Sequence, residues 1–91
     1  MFVVGINRTT YVQSISFRAR SSEPADWEDI KESDVPATLK EFGPKAVKFD
    51  YLVLGDGEAH LFQTKEAAEF VVGVLYPEGS TTQGIAQVTE V

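Results

Sequence analysis

The chain has 91 residues, no cysteine, and a net charge of −6 from 14 acidic and 8 basic side chains. The absence of cysteine excludes disulfide scaffolds, thiolate metal sites and thiol nucleophiles. The acidic surface repels nucleic-acid phosphate and anionic membranes at long range, so no direct nucleic-acid partner and no membrane partner are expected.

With 43% apolar residues, including six Phe, three Tyr and one Trp, the chain has enough hydrophobic material for one core. A single compact domain over residues 1–91 is the expected organisation. The apolar run at the start is too short for a secretory leader and follows no basic segment. Residues 70–76, the longest apolar stretch, fall far short of the roughly 20 residues of a membrane helix. Cytoplasmic localisation is the expectation.

Phe2, Val4 and Ile6 alternate with Val3, Gly5 and Asn7, the period of a first strand. Residues 11–20 read as a second strand, with Tyr11, Ile15, Phe17 and Ala19 on one face and Ser14, Ser16, Arg18 and Arg20 on the other. The two form an antiparallel hairpin. Ser21-Ser22-Glu23-Pro24 is a helix-start signal, because serine caps free amides and proline is tolerated in a first turn. It predicts a helix over residues 23–32, attached through Trp27 and Ile30. A second short helix is expected over residues 37–42, stopped by Gly43-Pro44.

Residues 46–54 are the most strand-like run, with Val47, Phe49, Tyr51 and Val53 on one face. Gly55-Asp56-Gly57 then reads as a hairpin turn returning through a strand over residues 58–63. Thr64 caps a helix over residues 65–76, whose Ala67, Phe70, Val71, Val74 and Leu75 form an apolar stripe. Pro77 and Gly79 end it, and a last strand runs over residues 84–91. The expected fold is α+β: a mainly antiparallel sheet of about five strands with two main helices on one face, in the order ββα(α)ββαβ. Each hairpin is followed by a capped helix with an aromatic six residues on, Ser21 to Trp27 and Thr64 to Phe70. This weak echo admits a duplication, although two hairpin–helix units covering one sheet account for it more simply.

Conventional catalysis has little to draw on. His60 is the only histidine, which rules out multi-histidine metal sites, and it shares a face with Phe62 as a structural or surface residue. A Ser-His-Asp set could be written with Asp56, but no nucleophile-elbow sequence presents a serine. Gly55-Asp56-Gly57 leads into an expected strand rather than a helix, so it is no phosphate cradle. Asp50, Asp56 and Glu58 lack the dense oxygen spacing of calcium loops. No catalytic residue, metal or cofactor is expected, and the chain is read as a non-enzyme.

Charge, by contrast, is concentrated. Glu23, Asp26, Glu28, Asp29, Glu32 and Asp34 crowd into residues 23–34, relieved only by Lys31. On a helix, Asp26 with Asp29 and Glu28 with Glu32 would stack like charges on neighbouring turns, at a few tenths of a kcal/mol each. A face that folding does not favour suggests another use, against the plainer reading of a solvated surface. The candidate partner-binding residues are therefore Asp26, Trp27, Glu28, Asp29, Glu32 and Asp34. Trp27 is read first as the helix's attachment to the core and second as an anchor for a partner. Arg8, Arg18 and Arg20 give residues 1–20 a balance of +3, with no interleaved exposed aromatics to suggest nucleic-acid binding.

The functional expectation is a non-catalytic interaction module, a small acidic regulator or inhibitor of the kind phages and mobile elements encode. Its acidic helix would engage a protein partner with a basic surface. Two alternatives stand beside it. One is a structural subunit that self-associates as a homo-oligomer through an edge strand, the last strand ending in Val91 being the candidate. The other is a nucleic-acid mimic whose carboxylates occupy a DNA- or RNA-binding protein.

Overall fold

A computed structural model describes residues 1–6, 9–22, 26–76 and 86–91. The expected loop at Arg8, the helix-start signal at Glu23-Pro24 and the breaker at Pro77 and Gly79 lie outside the described residues. The fold is α+β, with a five-stranded antiparallel sheet and two helices. In chain order the elements are β1 (Phe2–Gly5), β2 (Tyr11–Ala19), β3 (Glu28–Ile30), α1 (Val35–Phe42), β4 (Val47–Gly55), α2 (Lys65–Leu75) and β5 (Gln87–Glu90). Short 3₁₀ turns at Glu32–Asp34 and Pro44–Ala46 flank α1.

β2 is the shared strand. Along one edge it pairs with β4, from Tyr11 opposite Gly55 to Ala19 opposite Val47. Its other edge is occupied in succession. β1 meets it at Gly5 opposite Tyr11, and β3 meets it where Phe17, Arg18 and Ala19 face Ile30, Asp29 and Glu28. Between these, residues 60–62 enter: the His60 amide donates to the Val12 carbonyl at 2.8 Å, and Phe62 exchanges two backbone bonds with Phe2 at 2.9 and 2.7 Å. β5 closes the far side of β1, with Phe2 opposite Glu90 and Gly5 opposite Gln87.

Two expected elements are corrected. The helix over residues 23–32 does not form where it is described: residues 28–30 are β3, and a 3₁₀ turn follows. A strand sends Asp29 to one face and Glu28 to the other, which removes the like-charge stacking a helix would impose. It also supplies partners for the backbone of β2 beyond the reach of β1. With no helix there, the echo between the two halves disappears. The strand over residues 58–63 is likewise no ladder with β4. It reduces to a single bridge at Phe62, because the segment leaves the turn and crosses to β1.

Parity along β2 and β4 also departs from simple alternation. Gln13 is an extra residue between the Val12–Leu54 and Ser14–Val53 pairs, and Asp50 is an extra residue between the Ser16–Tyr51 and Phe17–Phe49 pairs. Each bulge reverses which side chains face the core. Val12 therefore enters the core with Ile15, Phe17 and Ala19, in place of Tyr11. On β4, Val47, Phe49 and Leu52 pack inward, while Tyr51 and Val53 are exposed. The amide end of the bulged Gln13 lies over Gly55 and Gly57, where any Cβ would collide with it.

Helix ends reflect local chemistry. Thr64 Oγ1 accepts from the Ala67 amide at 3.2 Å, the expected cap of α2. Pro36 occupies the first turn of α1, and Gly43 at φ 87° ends it in the region that glycine adopts without steric penalty. α2 buries Ala67, Ala68 and Val71 against the sheet. Phe17, Phe49 and Phe70 then join β2, β4 and α2 through ring contacts of 5.9 to 6.4 Å. Val4, Val12, Val35 and Phe62 complete the fully buried set. No described helix is long and apolar enough to cross a membrane.

The bulge at Asp50 puts Phe49 and Val53, which simple alternation would place on one face, on opposite faces. Phe49→Ala should destabilise by about 3–4 kcal/mol and Val53→Ala by under about 1 kcal/mol. Urea denaturation midpoints at constant m-value decide this; equal losses would mean that the two residues share a face.

Candidate functional site

The described part of the acidic segment, residues 26–34, runs through β3 and the 3₁₀ turn before α1, and its residues divide by what they touch. Glu32 turns inward, with its side chain only 18% exposed. One carboxylate oxygen meets His60 Nε2, and the other accepts the Gln63 amide at 2.9 Å. A carboxylate can only accept, so Nε2 carries the proton in this contact. The His60 ring in turn stands edge-on to Phe62 at 4.6 Å. Glu32 therefore ties the end of the acidic segment to the crossing strand of residues 60–63, and its role is internal. A shallow cleft of about 330 Å³ opens beside it, lined by Lys31, Ser33 and Leu61 as well.

Asp29 faces the outer side of the sheet. Its Oδ1 lies 3.1 Å from Arg18 Nε, and Asp50 Oδ1 approaches the same nitrogen at 3.0 Å. Neither carboxylate is aligned for a hydrogen bond to that nitrogen, so the attraction is Coulombic. With the Asp29 side chain 82% exposed, each pair contributes about 0–1 kcal/mol and weakens with salt. The positive charge that Arg18 brings to residues 1–20 is thus partly neutralised.

Trp27 is not an attachment to the hydrophobic core, as the helix reading required. It lies half-buried with Arg20 and Lys48 each 4.4 Å from its ring centroid. Arg20 directly follows β2, and Lys48 lies on β4 between the inward-packed Val47 and Phe49, so the indole covers the outer face at that margin of the sheet. Each cation–π contact contributes about 0.5–1 kcal/mol at such a site. Sequence reasoning missed this because the partners are distant in the chain and meet only through the β2–β4 register.

Asp26, Glu28 and Asp34 remain. All three are exposed, and none forms an ion pair among the described residues. Asp34 engages through its backbone alone: its carbonyl accepts from Thr38 Oγ1 and its amide donates to the Lys31 carbonyl, both at 2.9 Å. Of the six candidate residues, then, the fold uses Glu32 inward, Asp29 and Trp27 on the outer face, and leaves three carboxylates to solvent. Among the described residues no group of three or more metal-ligating side chains comes together. Comparison with protein families, curated proteins and solved structures finds no match.

Two measurements test these assignments. Glu32→Ala should destabilise by about 1.5–3 kcal/mol, with faster hydrogen exchange at the Gln63 amide. Trp27, the only tryptophan, should be quenched by acrylamide in the folded protein; shielding typical of a core indole would contradict its place on the outer face.

Proposed function

We propose that this protein is a non-catalytic interaction module, a small acidic regulator or inhibitor that binds a protein partner with a basic surface. The supporting observation is that Asp26, Glu28 and Asp34 are exposed without cationic partners among the described residues, within a short stretch of chain. Their mutual repulsion adds nothing to folding, whereas a basic partner would be steered by it and would neutralise it on contact. The surface is an edge strand and turn rather than a helix, with Asp29 beside it and Trp27 fixing the approach of the chain. We place this activity in the cytoplasm and consider a phage or mobile element its natural source, on the grounds of acidity and lack of cysteine.

A specific observation favours a second reading, self-association. β4 has nine residues, pairs only with β2 among the described strands, and exposes Tyr51, Val53 and Leu54. Such an edge can accept another strand. It takes the place of the last strand, β5, as the better edge for a homo-oligomer.

Affinity capture with mass spectrometry tests the first reading. The wild type should retain one specific partner, and the combined Asp26→Lys, Glu28→Lys and Asp34→Lys variant should lose it. Retention should fall steeply with salt, and competition by duplex DNA would mark the carboxylates as phosphate mimics. An unchanged partner list would return the segment to a merely solvated surface. Sedimentation at high concentration decides the second reading, which a strict monomer removes.

A further inference from the structure

Beside the acidic strip, two elements build a cleft. Glu28 and Ile30 share one side of β3, because side chains two apart on a strand point the same way. Thr38 and Phe42 share one face of α1, being four apart on a helix. Together with Ala19 they line a cleft of about 230 Å³ between β3 and α1. Its volume is below the roughly 300–1,000 Å³ of small-molecule sites, and suits one side chain of a larger partner.

The lining specifies the kind of side chain. Ala19 and Ile30 belong to or pack on the hydrophobic core, and Phe42 leaves 46% of its surface exposed at the end of α1. These apolar walls fit a methylene stem. Glu28 brings a carboxylate with no ion pair among the described residues, which calls for a cation at the end of that stem. Arg20 also lines the cleft, with its guanidinium held against Trp27 at 4.4 Å. Beyond Phe42 the adjoining depression is lined by Arg20 and Lys45, so the Glu28 side is the one that favours a guest cation. A planar guanidinium can pair with a carboxylate and stack on an aromatic ring, which a compact ammonium does less well.

We infer that the cleft between β3 and α1 is a receptor for a single arginine side chain of the protein partner. The inference rests on the proposed binding of a basic partner and names the residue that would be read.

The first arm of the test needs no partner. The isotope-labelled protein is titrated with acetyl-Ala-Arg-Ala-amide and with its citrulline counterpart, which keeps the shape and removes the charge. Amide shifts should centre on residues 28, 30, 38 and 42, and the citrulline peptide should bind at least about fivefold more weakly. Glu28→Gln should weaken the arginine peptide by a similar factor, and Phe42→Ala should narrow its advantage over a lysine peptide. Equal binding of arginine and citrulline, or an arginine response unchanged in both variants, would overturn the assignment. A partner lost on Asp26→Asn with Asp34→Asn, yet kept on Glu28→Gln and on Phe42→Ala, would overturn the arginine cleft and leave the binding module standing.

Discussion

Everything in this fold depends on β2 being hydrogen-bonded along both edges to segments far apart in sequence. β4 occupies one edge over its full length, while β1, residues 60–62 and β3 share the other. At Phe17 these demands converge: its backbone faces Phe49 on one side and Ile30 on the other, and its ring meets Phe49 and Phe70. Strand pairing, sheet–helix packing and the placement of the acidic segment are therefore fixed at one residue. A strand so placed leaves few backbone groups unpaired, which is what makes a short three-residue β3 tenable.

The parts of the structure legible in the sequence are those whose cause is local. Thr64 and the apolar stripe after it specify α2, because a cap and a 3.6-residue period need no distant partner. Gly43-Pro44 likewise marks the end of α1. The parts that are not legible are set by pairing across the chain. Residues 28–30 become a strand because β2 has an edge to fill, and tertiary pairing overrides the helix-start signal upstream of them. Bulges at Gln13 and Asp50 leave no trace in composition, yet each reverses the faces of the residues beyond it. The outer-face position of Trp27 is hidden for the same reason, since its cationic neighbours come from two strands brought together by that register. The acidic segment itself is visible as a cluster, but not the division of labour within it.

That division gives two of the sheet's edges, β3 and β4, different characters. β3 is three residues long and charged, a poor template for another strand. β4 is three times longer and exposes apolar side chains, relieved by Lys48 and Asp50. The two strands thus present unlike margins on opposite sides of β2. Glu32 links the acidic margin to the crossing segment through His60 and Gln63.

The pairing of β1 with β5 has a topological consequence. The Val91 amide donates to the Met1 carbonyl at 2.8 Å, and the Met1 amino group lies 3.4 Å from the Val91 carbonyl oxygen. Residues 1 and 91 are thus neighbours in the sheet, and a linker of a few residues would join them without disturbing β1 or β5. The order of elements is in that sense cyclic: the chain could be relinked there and opened at the Gly43 bend, giving a permuted protein whose new ends lie between α1 and β4. The same closeness suits the unit to insertion within a loop of another protein, with both connections leaving from one point on the sheet's edge.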